Sequence, residues 1–398
     1  NIYEHEDNKV FGIGVNNYGF HKWTGYFGGG NNLFIRYPTQ QKQANWWVDS
    51  NYIGSDAVGY TTDLITEAAL QFIGENKDKD FFCYVPQQAV HMPLHIKKSD
   101  LQEFCGKLDS ELGITGQWDF VKAITSPTTG RTIEEADENL HCAYEEEFSV
   151  QAIDSAQEHY NHLIFGAYIY SLDKSVGRIL DTIESLGLKD STIVVFTSDN
   201  GGLNEGCSLP FQGGKHSLWE GGVHVPAAVW WPGIFDANTS PYSPGNNIYN
   251  GNVAYYDLYP TLMAMSGNTF TPEDVDGINF WNELQSNTPV RTGFDDPTYG
   301  MWTNYGSVRT DEWKLIYSET TDREELYHYK TDTAEADNVA ESYPEIAGKM
   351  IDLYKEWLSE NKYAVPYVKL DESNIYSAEA SPSGEIMEIR AWQDSVND

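Results

Sequence analysis

Cysteine, basic residues and long apolar runs are all scarce. The 398 residues hold four cysteines, in Phe82-Cys83-Tyr84, Phe104-Cys105-Gly106, His141-Cys142-Ala143 and Gly206-Cys207-Ser208. With no Cys-x-x-Cys pair, these exclude a disulfide scaffold and a thiol-based metal or redox motif. Free core thiols are expected, and spacing leaves a Cys105–Cys142 bridge open. Lys and Arg number 25 against 60 Asp and Glu, a formal charge of −35. So acidic a chain lacks the basic face that neutralises phosphates, which argues against nucleic acid and anionic membrane surfaces as partners. No apolar run reaches the roughly 18 residues a spanning helix needs, so no membrane span is expected. An initiating Met is also lacking, and we expect an N-terminal portion to precede Asn1.

What is present is enough to build a core. Hydrophobic residues make up 40% and aromatic rings 14% of the chain, enough burial to offset the ordering entropy that defeats acidic low-complexity sequences. The length suggests one large and one smaller domain. Residues 1–60 are rich in Gly, Asn and rings, without a period, and read as loops and short strands. Leu64, Ile65, Ala68, Ala69, Phe72 and Ile73 then share one helical face. Phe81-Phe82-Cys83-Tyr84-Val85 is a short unbroken apolar run that suits a strand buried on both faces of a parallel sheet. The acid-rich stretch from about 97 to 160 reads as an irregular surface excursion. Tyr168, Leu172, Val176, Ile179, Leu180, Ile183 and Leu186 mark a second helix, stopped by Gly187. Strands follow at Thr192–Phe196 and Val225–Trp230, an order that points to a doubly wound α/β sheet. Past about 300 the texture changes to short strands such as Trp313–Tyr317 and a late helix near Pro344–Asn361. This gives expected domains at 1–295 and 296–398.

In open α/β sheets, ligands gather beyond the carboxyl ends of the strands. Three such segments carry candidate chemistry. Thr197-Ser198-Asp199-Asn200-Gly201-Gly202 sets a carboxylate beside an amide oxygen, two hard donors that suit Ca²⁺ or Mg²⁺; alone it would pass for an Asx turn. Gly213-Gly214-Lys215-His216-Ser217-Leu218-Trp219-Glu220-Gly221-Gly222 sets a lysine between two diglycines, a flexible cation presented by a loop and suited to a multivalent oxyanion. A Walker loop is excluded, because it would need Gly where Leu209 stands and Ser or Thr where His216 stands. Pro86-Gln87-Gln88-Ala89-Val90-His91-Met92-Pro93-Leu94-His95 offers His91 as an anion contact or proton carrier. Pro93 between His91 and His95 speaks against a helical zinc pair.

Order and spacing together resemble the formylglycine-dependent sulfatases of the alkaline phosphatase superfamily. Further echoes are Gly59-Tyr60-Thr61-Thr62-Asp63, Tyr256-Asp257-Leu258-Tyr259-Pro260-Thr261-Leu262, Asp276-Gly277-Ile278 and Val308-Arg309-Thr310-Asp311-Glu312-Trp313-Lys314-Leu315, so the resemblance runs from about residue 19 to 360. It implies an alkaline-phosphatase-like sandwich with a large, mostly parallel mixed sheet and a smaller C-terminal α+β subdomain with an antiparallel sheet. It also implies Asp199 and Asn200 as ligands of a Ca²⁺ cofactor, Lys215 and His91 as sulfate contacts and candidate proton donors to the leaving alcohol, and His216 as a neighbouring substrate contact. His224 stands where the family usually has Arg, and either touches substrate or supports the loop, the second being the better reading.

The family's nucleophile lies in Cys/Ser-x-Pro-x-Arg and becomes formylglycine. None of the four cysteines fits, and Ser208-Leu209-Pro210-Phe211-Gln212 ends in Gln. The early Asp-Asp pair and Gly-Lys-x-x-His are absent too. The expectation is a secreted or periplasmic sulfatase whose nucleophile segment lies in a missing N-terminal portion, with this chain inactive and aggregation-prone without it. A sulfated carbohydrate or small sulfate ester is the expected partner, with Trp46, Trp47, Trp302 and Tyr305 available to stack on sugar rings. The net charge disfavours a polyanion unless salt screens it within about 10 Å. The alternatives are a phosphodiesterase or phosphatase of the same superfamily and a non-catalytic sulfated-glycan binding protein.

Overall fold

The computed structural model describes residues 3–4, 10–11, 19–26, 34–35, 46–49, 51–53, 59–91, 94–123, 155–203, 206–235, 248–272, 275–318, 320–321 and 323–361. The glycine run at 28–30, the acidic stretch 124–154 with Cys142, and the C-terminal residues 362–398 lie outside them. The chain divides into two compact units, residues 1–192 and 193–398.

The first unit opens with two-residue strands: β1 (Tyr3–Glu4) pairs with β2 (Val10–Phe11), β3 (Thr24–Gly25) with β5 (Trp47–Val48), β4 (Phe34–Ile35) with β7 (Gly59–Tyr60), and β5 with β6 (Asn51–Tyr52). Most of its described residues are helical. α1 (Thr61–Asn76) buries Ile65, Ala69 and Ile73, the stripe that its period marks. α4 (Ser155–Ser185) is a 31-residue rod, about 46 Å long at 1.5 Å per residue. Gly187, at φ +74°, ends it where the sequence pattern places a stop. Tyr160, Leu163, Ile164, Ala167 and Tyr168 of α4 form one core with Leu101 and Cys105 of α2 (Lys98–Leu112) and with Val121 of α3 (Gln117–Lys122).

Two expectations are corrected here. The stretch after 97 is not an irregular excursion throughout: α2 and α3 are amphipathic helices that bury Leu101, Cys105 and Val121 wholly and Phe104, Leu108, Trp118 and Phe120 in part, while Leu112 is exposed. The run 81–85 forms no strand among the described residues. Phe82 is 67% and Tyr84 68% exposed while their neighbours are half-buried, and no described segment hydrogen-bonds to it as a ladder. A strand exists only with a partner. Cys105 is a free buried thiol, which burial pushes up to about 11, whereas Cys207 is exposed rather than in a core.

In the second unit, β8 (Val194–Thr197) and β9 (Ala227–Trp230) form an antiparallel ribbon, Val194 opposite Trp230 and Thr197 opposite Ala227. Every strand pair among the described residues is antiparallel, so the parallel sheet read from the helix–strand order is not among them. The expected C-terminal antiparallel sheet is present: β10 (Thr298–Trp302), β11 (Tyr305–Arg309), β12 (Trp313–Ser318) and β13 (Arg323–His328), in that spatial order.

Side chains alternate across this sheet. Leu315 and Trp313 point with Val308 and Leu326 into a core completed by Ala347, Met350 and Tyr354 of the final helix, Pro344–Glu360. Ile316 and Tyr327 point the other way, into a cluster with Leu218. Residues on both sides of the expected 295/296 boundary thus share one compact unit.

Candidate functional site

The segment beyond β8 and the lysine loop are knitted together through their backbones. Gly201 N–H donates to Gly222 O at 2.9 Å, Lys215 N–H to Gly202 O at 2.8 Å and Gly221 N–H to Gln212 O at 2.8 Å. Such close passage excludes side chains: a Cβ on Gly201 would lie 1.8 Å from Gly221 O, and one on Gly221 would lie 2.4 Å from both Gln212 O and Gly213 O. The diglycines therefore let three chain segments interlock. The result is a rigid cradle rather than a flexible arm for Lys215, contrary to the flexibility a glycine-rich loop suggests by itself.

On this cradle, Asp199 is exposed and its Oδ1 accepts the Asn200 N–H at 2.9 Å. Lys215 is half-buried, and among the described residues its ammonium has no ion-pair or hydrogen-bond partner. An unpaired lysine on a fixed backbone is poised for an external anion. His216 adopts φ +72° and sets its ring 5.1 Å from Trp302, itself 43% exposed at the end of β10. Trp46 and Trp47 are buried and unavailable to a ligand, and Tyr305 lies under the Arg323 guanidinium at 4.8 Å. Of the aromatic residues singled out for sugar stacking, Trp302 is the exposed one.

A charged cluster underlies the loop. Glu220 opens the short helix α5 (Glu220–Val223) and is buried. Its Oε1 lies 2.8 Å from Lys314 Nζ and 3.5 Å from Arg309 Nε, and its Oε2 lies 3.1 Å from His224 Nδ1. Glu335 Oε2 accepts the Glu220 N–H at 2.6 Å, and Glu335 Oε1 lies 2.9 Å from Lys314 Nζ. Burial would raise the Glu220 carboxyl, but His224, Lys314 and Arg309 outweigh it and hold it well below the usual carboxylate range. Burial wins at Glu335 and raises it, against the pull of Lys314. His224 is further held by Tyr329 Oη at 3.2 Å and by the Phe211 ring at 4.6 Å. Its Nδ1 faces Glu220 and Tyr329 while the side chain stays 48% exposed.

Lys314 and Arg309 fall in a motif that the sequence singles out without assigning them a role. A lysine inside a buried strand is the signal that could have drawn attention to the first. Glu335 sits in an acidic loop and offers no such signal.

A second motif proves to be an internal brace. Asp257 is fully buried; its carboxylate takes Arg291 at 2.6 and 2.8 Å and the N–H groups of Ala254 and Ile278 at 2.7 and 2.8 Å.

His91 belongs to the first unit, exposed in a turn where its N–H reaches Gln88 O at 2.8 Å. That unit also contains a cavity of about 300 Å³ between α1, α2 and α4. Its cations are engaged: Lys97 lies 2.8 Å from Asp63, Lys174 lies 2.9 Å from Asp100, and Arg178 pairs with Glu67. The cavity is an ion-paired helix junction. Among the described residues, no three His, Cys, Asp or Glu side chains cluster to hold a metal. Asp199 and Asn200 fit part of a Ca²⁺ shell, which takes six to eight oxygens. No cysteine fits a formylglycine position.

Comparison with known proteins finds relatives in one family. A family model described as sulfatase matches residues 11–268. An uncharacterized sulfatase, YdeN, of Escherichia coli is 27% identical over 251 residues, covering 52% of this chain and 42% of its own length. The chain thus spans less than half of that curated relative. Among solved structures, Ps i-CgsB superposes with a TM-score of 0.64 at 22% identity, covering 86% of this chain and 67% of that one. BT4656, solved with its substrate D-glucosamine-2-N,6-O-disulfate, gives 0.58 at 20% identity, covering 88% and 78%. At these identities, the structural likeness speaks to an alkaline-phosphatase-like α/β fold.

Proposed function

The chain belongs to the sulfatase family, and from that premise we propose that the whole protein hydrolyses the sulfate ester of a sulfated carbohydrate. One observation carries the reading. Lys215 offers an ammonium that is unpaired among the described residues, on a backbone hydrogen-bonded to the segment that bears Asp199 and Asn200. A sulfate ester reacts through a centre ringed by negative oxygens, so a fixed cation lowers the barrier only if it need not move to meet the developing charge. The cradle fixes the backbone from which the Lys215 side chain starts, so only the side chain has to order as the anion arrives. Lys215 binds a sulfate oxygen in this reading, and Lys215 or His91 gives the proton that the departing alcohol requires. Asp199 and Asn200 hold Ca²⁺, which when bound would polarise the ester group. His216 and the Trp302 face border the sugar, while His224 supports the loop. No Cys or Ser of this sequence stands in a Cys/Ser-x-Pro-x-Arg pattern.

The test is steady-state hydrolysis by the full-length protein of an aryl sulfate and of the matching aryl phosphate. Lys215→Ala is expected to lower kcat/KM for the sulfate by about 10²–10³, the size of one lost oxyanion contact. Asp199→Ala is expected to weaken Ca²⁺ binding in calorimetry. Wild-type rates in Lys215→Ala, or a preference for the phosphate ester, would overturn the assignment. Retained binding of a sulfated oligosaccharide without any turnover would favour a binding protein instead.

A further inference from the structure

Lys314 is 1% exposed, and sealing an ammonium away from water costs several kcal/mol before any partner repays it. An apolar residue would serve folding as well, so its contacts define what it contributes. It lies on the same face of β12 as Ile316, away from the helix-covered core, and bridges two carboxylates, Glu220 at 2.8 Å and Glu335 at 2.9 Å. Glu335 also takes the Glu220 N–H at 2.6 Å. The next residue, Gly221, is bonded to Gln212, and Gly222 to Gly201. A contiguous path of charge pairs and backbone hydrogen bonds therefore runs from β12 to the segment carrying Lys215.

We propose that Lys314 and Glu335 are positioning residues for Lys215. The cluster they form with Glu220 clamps the cradle to the antiparallel sheet and so sets the site's oxyanion affinity without touching the anion. The proposal rests on reading Lys215 as the sulfate contact.

The experiment compares Lys314→Met, Lys314→Arg, Glu335→Gln, Lys215→Ala and the Lys314→Met/Lys215→Ala double variant of the full-length protein. The readouts are aryl sulfate hydrolysis, inhibition by inorganic sulfate, and amide exchange at Lys215 and Gly221. Lys314→Met is expected to weaken sulfate inhibition about tenfold and to lower kcat by about 10- to 100-fold, the scale of a 1 Å misplacement. Lys314→Arg should recover part of both, and exchange should quicken at the cradle while the β12–β13 amides stay protected. The double variant should be no slower than Lys215→Ala alone, because two changes that act through one contact do not multiply.

Losses that multiply, or wild-type kinetics with unchanged exchange in Lys314→Met, would overturn the proposal. If Lys314→Met does not fold, Glu335→Gln carries the same test, since it removes the charge but keeps an acceptor for the Glu220 N–H. A silent Lys215→Ala alongside quickened cradle exchange in Lys314→Met would sink the sulfate-contact reading while leaving the clamp in place.

Discussion

Two glycine-to-alanine changes in the same unit should move stability in opposite directions. In Gly221→Ala the new Cβ would meet two backbone oxygens at 2.4 Å, about 1 Å inside the 3.4 Å where ordinary contact begins. Neither oxygen belongs to a side chain that can swing away. Overpacking of this kind costs about 1–3 kcal/mol, and the separation needed to relieve it breaks the Gly221–Gln212 hydrogen bond, worth about 1 kcal/mol more. A total loss of about 2–4 kcal/mol follows. Gly348 is exposed inside the final helix, and its added Cβ meets nothing within 4 Å. Alanine there should gain up to about 1 kcal/mol by restricting the unfolded chain and favouring helix. Urea unfolding followed by tryptophan fluorescence reads both. At about 1–3 kcal/mol per molar urea, the Gly221→Ala midpoint should fall by about 1 M or more, while that of Gly348→Ala should rise slightly. A Gly221→Ala protein as stable as wild type would mean the three segments are not interlocked as described.

The buried brace makes a second test. Arg291→Met leaves the Asp257 carboxylate sealed without its cation and should cost about 3–5 kcal/mol, part of which Asp257→Asn should restore in the same background; a loss under about 1 kcal/mol in urea unfolding would refute the brace. Asp100 is a case for pH. Burial would raise it, but Lys174, Lys97 and Ser171 outweigh burial and lower it. Its contribution is therefore present above the unfolded value of about 3.9 and is lost as pH falls through the lower folded value. Stability measured from pH 5 to pH 2 should fall less steeply in Asp100→Asn, and parallel slopes would contradict the network. Finally, Trp302→Ala should raise KM for a sulfated disaccharide about two- to tenfold, the worth of one stacking contact, while leaving a small aryl sulfate unaffected. Equal effects on both substrates would rule out a sugar platform.

The sequence was most informative where one residue type answers one demand. The α1 stripe, the Gly187 stop and the strand at Trp313–Ser318 follow from periodicity and a single backbone preference, and all three occur in the structure. The spacing of Leu101, Phe104, Cys105, Leu108 and Leu112 by threes and fours does mark α2 in the sequence, but the acidic residues between them give the stretch the composition of a surface excursion, and α3, at six residues, is too short to show a period. The apolar run at 81–85 misled for the opposite reason. Composition signals a wish to be buried, but a strand needs a partner, and pairing is a tertiary fact that no window of residues contains.

The site divides along the same line. Glycines at fixed spacing single out the segments of Asp199, Asn200 and Lys215, and the structure does hydrogen-bond those segments together, yet the purpose of the glycines is not the one their spacing suggests. Freedom of φ suggested a mobile loop, whereas the observed need is for close approach between backbones, which immobilises it. In a strand with Trp313 and Leu315 facing a core, alternation alone would put Lys314 in water. It is buried because the lysine loop covers that second face, with Leu218 against Ile316 and Tyr327. Glu220 and Glu335 meet its ammonium there. Two motifs 94 residues apart thus explain each other: the glutamate between the lysine and its second diglycine is there to receive the lysine of the strand.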